Sequence, residues 1–184
     1  ALRATGIINV NGDESTGFAI LVPINEWGGG GTINIGTANP NQDPVNGNLH
    51  SSVNLVERAT GLYSNQPSLS VSCTAGFCGN AEIMDTGSIN IGSFAYQSSG
   101  VRAEGSGIIG NTVNINVNGD NNYGAVITNQ GYFNNHVWTL LSYIGKINVN
   151  SNNSIGVFVN EQGRLLNESL ISVNGNSSIG LLQN

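Results

Sequence analysis

Two cysteines, two histidines and eleven carboxylates are the residues with which this 184-residue chain could perform conventional chemistry. Carboxylates on neighbouring strands can cleave a glycosidic bond, one as acid and the other as base or nucleophile. Asp13 and Asp120 hold the same place after an Asn-Gly pair, where Asp favours turns through local hydrogen bonds. The corresponding places in two related stretches are Asn152 and Asn176, so the slot asks for a turn former rather than an acid. No basic residue is fixed beside these acids to hold a developing oxyanion, and the residues predict no enzyme. Asn118-Gly119-Asp120-Asn121-Asn122 gathers oxygen donors of the kind calcium takes. It matches neither an EF-hand loop nor the Gly-Gly-x-Gly-x-Asp repeat, so no metal and no cofactor is expected. His50 and His136 have no Ser- or Cys-centred elbow nearby.

Cys73 and Cys78 stand five apart in Ser72-Cys73-Thr74-Ala75-Gly76-Phe77-Cys78-Gly79. There is no further Cys to complete a zinc set, and the spacing is not the CxxC of redox enzymes. A small disulfide loop is the better reading, with two buried thiols as the competing one. A disulfide places the chain in an oxidising compartment.

Residues 131–143 concentrate rings in a chain that is 7% aromatic. Either the rings fill a widened core, as the spacing of Val137, Leu140 and Leu141 suggests, or they form a platform for a sugar or a protein. On the second account Tyr132, Asn135, His136 and Trp138 supply the rings and amides that stack on and hydrogen-bond a ligand.

These residues are carried by a repeat. Asn9-Val10-Asn11-Gly12 with Gly17, Asn116-Val117-Asn118-Gly119 with Gly124, Asn148-Val149-Asn150-Ser151 with Gly156, and Ser172-Val173-Asn174-Gly175 with Gly180 share one phrase. Its second Asn precedes an anchor glycine by six residues in all four copies. Looser copies lie at Thr32-Ile33-Asn34-Ile35-Gly36 and Ser88-Ile89-Asn90-Ile91-Gly92. The apolar/Asn alternation has the strand period of two, with apolar side chains to one face and amides to the other. Each unit reads as strand, tight turn, strand, with glycine supplying positive φ at the turns. Anchor intervals of 24 (Gly100 to Gly124, Gly156 to Gly180) and 32 (Gly124 to Gly156) signal stacked units with insertions to the outside. The fold expected is all-β, a β-solenoid with loop insertions, in which stacked Asn amides form ladders along the axis. Residues 1–184 read as a single segment of that stack, with insertions at about 37–80 and 128–145. Both ends fall within the repeat, which predicts a piece excised from a longer chain.

Composition sets the remaining bounds. Only 9% of residues are charged, against roughly 25% in ordinary globular proteins, while 39% are hydrophobic. That is not the low-apolar, high-charge signature of disorder. With a net charge of −6 and Lys146 the sole lysine, there is no basic stripe for phosphates, and nucleic acid is not an expected partner. No apolar run approaches the roughly 20 residues of a membrane helix, so the segment is not expected to span a bilayer. Helical readings fail for want of a 3.6-residue period. The nearest candidate, 161–166, is broken by Gly163 and is read as loop and strand.

The stretches 145–157 (Gly-Lys-Ile-Asn-Val-Asn-Ser-Asn-Asn-Ser-Ile-Gly-Val) and 172–181 (Ser-Val-Asn-Gly-Asn-Ser-Ser-Ile-Gly-Leu) resemble the passenger domains of bacterial type V autotransporters. The nearest in character are the very large fusobacterial outer-membrane adhesins and the vacuolating-cytotoxin-like proteins. The resemblance covers residues 1–22 and about 86–184. It implies a right-handed parallel β-helix, exported through the outer membrane by a separate C-terminal barrel and displayed extracellularly on the bacterial cell surface. It also implies adhesion, with a glycan or protein receptor on host or bacterial surfaces. The alternatives are a structural stalk and, further off, a polysaccharide-degrading β-helix.

Overall fold

The structure is a computed structural model and describes residues 2–3, 6–21, 27–28, 32–38, 55–65, 81–83, 88–111, 113–135, 137–138 and 143–184. Among them there is no helix. Three parallel sheets hold nearly all the strands, and in each the strands stack in chain order. Sheet I comprises Ile7–Val10, Thr32–Ile35, Ser88–Ile91, Asn114–Val117, Lys146–Val149 and Ile171–Val173. Sheet II comprises Thr16–Ile20, Thr60–Ser64, Ser99–Glu104, Tyr123–Thr128, Ile155–Val159 and Ile179–Gln183. Sheet III comprises Ala81–Ile83, Ile108–Asn111, Tyr132–Asn135 and Arg164–Asn167. Near the start of the chain Leu2–Arg3 pairs parallel with Trp27–Gly28, which lies against Ala81–Ile83. The chain visits the sheets in the order I, II, III and returns to I one strand further along, a topology compatible with a β-solenoid. One such circuit is called a rung below.

The alternation in sheet I explains its burial. Ile33, Ile35, Ile89, Ile91, Ile115, Val117, Ile147 and Val149 face inward and none is more than 6% exposed. Register stacks like on like, with Ile115 between Ile89 and Ile147 and Asn116 between Asn90 and Asn148. Sheet II contributes Leu62, Val101, Ala125, Ile127 and Val157, and sheet III contributes Ile109 and Phe133, all of them buried. Burying each large aliphatic side chain contributes about 1.5–3 kcal/mol, and no rung could bury its set without a neighbour.

The amide ladders expected from the sequence are present. Each Nδ2 of Asn34, Asn90, Asn116 and Asn148 donates to the Oδ1 of the Asn one rung nearer the N-terminus, at 2.9–3.1 Å. A second outer ladder runs through Asn118, Asn150 and Asn174. A third, unforeseen ladder is internal. Asn111 Nδ2 donates to Asn135 Oδ1 at 2.9 Å and Asn135 Nδ2 to Asn167 Oδ1 at 2.8 Å, so it runs in the opposite direction. At the corner between sheets I and II a buried polar column continues through every junction from rung 2 to rung 6. The N–H groups of Ala59, Ser98, Asn122 and Ser154 donate to side-chain oxygens of Ser98, Asn122, Ser154 and Ser178 in turn.

Three expectations change. The turn glycines Gly12, Gly119 and Gly175 do not supply positive φ, which among described glycines occurs only at Gly36 and Gly105, and the anchor glycines answer to close approach. A Cβ at Gly100 would stand 2.7 Å from the carbonyl oxygen of Gly124, and one at Gly124 2.5 Å from that of Gly156, so the packing of adjacent rungs excludes any side chain. The left-handed turn positions belong instead to Glu14, Arg58, Gln97, Asn121, Asn153 and Ser177, one per rung, with φ of 49–61°. Second, each complete rung has three strands rather than two. Third, the insertions are narrower than 37–80 and 128–145. Thr60–Ser64 is a strand of sheet II with Leu62 fully buried, and Tyr132–Asn135 is a strand of sheet III with Phe133 fully buried.

Candidate functional site

The turn from sheet II to sheet III builds a surface trough among the described residues. Its tight bend needs left-handed backbone, met by Gly105 at φ 60° in one rung, by Asn129 and Gln130 (50° and 70°) in the next, and by Glu161 and Gln162 (51° and 64°) in the one after. Gln130 N–H donates to Glu161 O at 3.1 Å, and Thr128 Oγ1 to Glu161 Oε2 at 2.9 Å, which fixes one turn on the other. Gly105, Ser106, Ile108, Gln130, Gln162 and Arg164 line a shallow trough of about 470 Å³ across these three rungs.

Tyr132 belongs to this surface. In sheet III it pairs with Ile108 on one side and Arg164 on the other, both of which line the trough. The Arg164 guanidinium carbon lies 5.5 Å from the Tyr132 ring centroid, within the range of a cation–π contact. Partial burial raises the Tyr132 phenol above its ordinary pKa, the Glu168 charge raises it further, and Arg164 opposes both. The trough thus offers two primary amides, a hydroxyl, a cation and an adjacent aromatic face, the equipment for binding a hydroxyl- or amide-bearing ligand without covalent chemistry.

The other residues singled out by sequence fare differently. Asn135 is fully buried with both ends of its amide in the internal ladder, which removes it from any surface platform. Trp138 lies in a two-residue strand, Val137–Trp138, paired antiparallel with Tyr143–Ile144. His136, His50, Cys73 and Cys78 lie outside the described residues. Gln130, Gln162 and Arg164 were missed. Their signal was positional, since Gln130 and Gln162 are 32 apart, the same interval as Gly124 and Gly156.

The carboxylates at the sheet I–II turn have structural partners. Asp13 Oδ1 accepts from Glu57 N–H at 2.9 Å, Asp120 Oδ1 from Asn152 N–H at 2.7 Å, and Asn152 Oδ1 from Asn176 N–H at 3.0 Å. Acid and amide are interchangeable here because the slot needs only an acceptor aimed at the next rung. Arg58 pairs with Glu14 at 2.7 Å on the surface. On the outside of sheet II, Glu104 Oε2 accepts from Tyr63 Oη and Arg102 Nε, each at 3.4 Å. Among the described residues no group of three or more His, Cys, Asp or Glu could hold a metal ion, and no helix is long and apolar enough to cross a membrane.

No protein-family model, curated protein or solved structure matches this chain.

Proposed function

We propose that this chain is a segment of a bacterial cell-surface adhesin, of the autotransporter-passenger kind, that attaches to host or bacterial surfaces by non-covalent binding. On this reading the rungs wind as a right-handed parallel β-helix. The segment stands outside the outer membrane, has no enzymatic role, and meets a glycan or protein receptor through side chains set on a stiff rod. The observation that carries the reading is the trough lined by Gln130, Gln162 and Arg164, the last of which is in register with Tyr132 and lies against its ring. Primary amides and a guanidinium satisfy sugar hydroxyls, and an aromatic face covers the apolar face of a pyranose. A second reading, a stalk that carries a binding region elsewhere, draws support from the regularity of the ladders, which need no ligand.

A glycan array and whole-cell binding separate the two, using the chain beside Tyr132→Ala, Gln130→Ala with Gln162→Ala, and Trp138→Ala. Specific binding lost in the first two and retained in the third supports an adhesin with its site at the trough. Loss only in Trp138→Ala moves the site to the strand pair Val137–Trp138 and Tyr143–Ile144. No binding by any form favours the stalk.

A further inference from the structure

We infer that the trough takes an acidic sugar, a pyranose whose carboxylate is gripped by the Arg164 guanidinium while its hydroxyls meet the amides of Gln130 and Gln162. The inference rests on the adhesin reading above and names the ligand class for that same site.

The charges around the trough carry the first part of the argument. The chain has eleven carboxylate side chains and five lysines and arginines, so acids outnumber cations by about two to one. Arg58 pairs with Glu14 and Glu57, and Arg102 with Glu104. Among the described residues Arg164 forms no ion pair, although Glu161 stands three residues before it and Glu168 four after. The acids that flank the trough-lining residues are turned to other partners. Glu161 Oε2 accepts from Thr128 Oγ1 at 2.9 Å, and Glu104 Oε2 accepts from Tyr63 Oη and Arg102 Nε. The other residues that line the trough are uncharged. Arg164 is therefore a positive centre on a neutral wall, in a chain whose net charge is −6.

The position of Arg164 is set by its neighbours. Its backbone N–H donates to Gly131 O at 2.8 Å, its register places it beside Tyr132, and its guanidinium carbon lies 5.5 Å from the ring centroid. A cation–π contact orients the group and leaves its five N–H donors for another acceptor. A planar fork of this kind meets a carboxylate through two parallel hydrogen bonds, each roughly twice as strong as a neutral one.

The amides complete the fit to a sugar. Gln130 and Gln162 stand two residues before Tyr132 and Arg164 in the same two rungs, so amides and ring–guanidinium pair make two short columns side by side. Successive rungs lie about 4.8 Å apart, a span that one sugar ring covers. The trough volume of about 470 Å³ falls within the roughly 300–1,000 Å³ of small-molecule sites. The Glu168 charge reaches the Tyr132 phenol and opposes a second negative charge on the ligand. That favours a carboxylate, with one charge, over a phosphate monoester, with nearly two at neutral pH.

The test removes the ligand's charge without touching the protein. The whole chain is titrated calorimetrically with trigalacturonate and with N-acetylneuraminyl-lactose, with the methyl ester of each, and with galactose 6-sulfate. The same ligands are offered to Arg164→Gln, Arg164→Lys and the Gln130→Ala, Gln162→Ala double variant, with circular dichroism to check that each folds. Binding of at least one acid is expected, with its ester weaker by about 10- to 100-fold. Arg164→Gln should abolish the preference for acid over ester, Arg164→Lys should restore part of it, and added salt should weaken the acid alone. The comparison of acid with ester is made on the parent chain, so it stands even where a variant fails to fold. Equal binding of acid and ester, a preference for galactose 6-sulfate, or acid binding unchanged in a folded Arg164→Gln chain would overturn the acidic-sugar inference and leave the adhesin reading standing. No binding of these ligands or of any glycan or cell surface would overturn both.

Discussion

A Cβ built on Gly124 would lie 2.5 Å from the carbonyl oxygen of Gly156, one rung further along. The gap between those two residues sets the closeness of the whole stack, because the same relation joins Gly17 to Gly61, Gly61 to Gly100, Gly100 to Gly124, and Gly156 to Gly180.

Gly124→Ala therefore forces adjacent rungs apart, and a loss of about 3 kcal/mol is expected from overpacking a site bounded by backbone. For a chain of this size that is a fall of roughly 6–12 °C in Tm. At Gly180 the nearest atom to a new Cβ is Val173 Cγ2 at 3.4 Å, and Gly180→Ala should leave Tm within about 2 °C of the parent. Thermal unfolding followed by circular dichroism compares them directly, and equal losses would refute the close-approach account.

The internal ladder should matter more than the outer ones. Asn135→Ala opens a buried gap and takes from the fully buried Asn111 Nδ2 its acceptor in the ladder, so about 2–3 kcal/mol should be lost. Asn150→Ala, in an exposed ladder, lets water replace the missing amide and should cost under about 1 kcal/mol. Urea denaturation of the two variants measures the difference.

Gln97 holds φ 49° on the surface, a conformation that costs an L-residue roughly 1–2 kcal/mol. Gln97→Gly relieves it, partly offset by the entropy of the unfolded chain, for a net gain of up to about 1 kcal/mol. Gln97→Val, branched at Cβ, should lose at least as much. If glycine there also destabilises, the strain argument fails at that corner.

Alkaline pH tests the surroundings of Tyr132. Its phenol binds its proton more tightly when folded than the ordinary value of 10.0, so the unfolded chain releases it first as pH rises. The associated stability is complete below pH 10.0 and is lost as pH rises through the higher folded-state value. Tyr63 is shifted in the same direction, by burial first and then by Glu104. Tyr132→Phe should flatten part of the fall in Tm above that pH, and an unchanged slope would place the ring in water.

Sheets I and II were legible because their strands share residue types at fixed spacing, the inward Ile or Val beside an outward Asn and then the anchor glycine. Sheet III was not. Ile108–Asn111, Tyr132–Asn135 and Arg164–Asn167 have only the closing Asn in common, and an Asn counts as a turn signal until its burial is known. The intervals of 24 and 32 between Asn111, Asn135 and Asn167 repeat those of the anchor glycines, and that coincidence was the available clue. The 37–80 stretch reads in sequence as one insertion, although Thr60-Gly61-Leu62 carries an anchor glycine; cutting it out would remove a strand of sheet II. Left-handed turns were invisible for a physical reason. Glu14, Arg58, Gln97, Asn121, Asn153 and Ser177 have no side-chain chemistry common to all six, and what the first five share is a backbone N–H donated to the next rung.

The opposed direction of the ladders has an electrostatic consequence. A column of primary amides, all donating one way, adds dipole to dipole just as aligned peptide groups do along a helix. The outer columns through Asn9 to Asn148 and Asn118 to Asn174 place their positive ends toward the N-terminus, and the internal column through Asn111, Asn135 and Asn167 places its positive end toward the C-terminus. The internal column lies where the dielectric screens it least. Its reversed field opposes those of the longer, better-screened columns outside, so the ladder dipoles partly cancel instead of all adding along the stack.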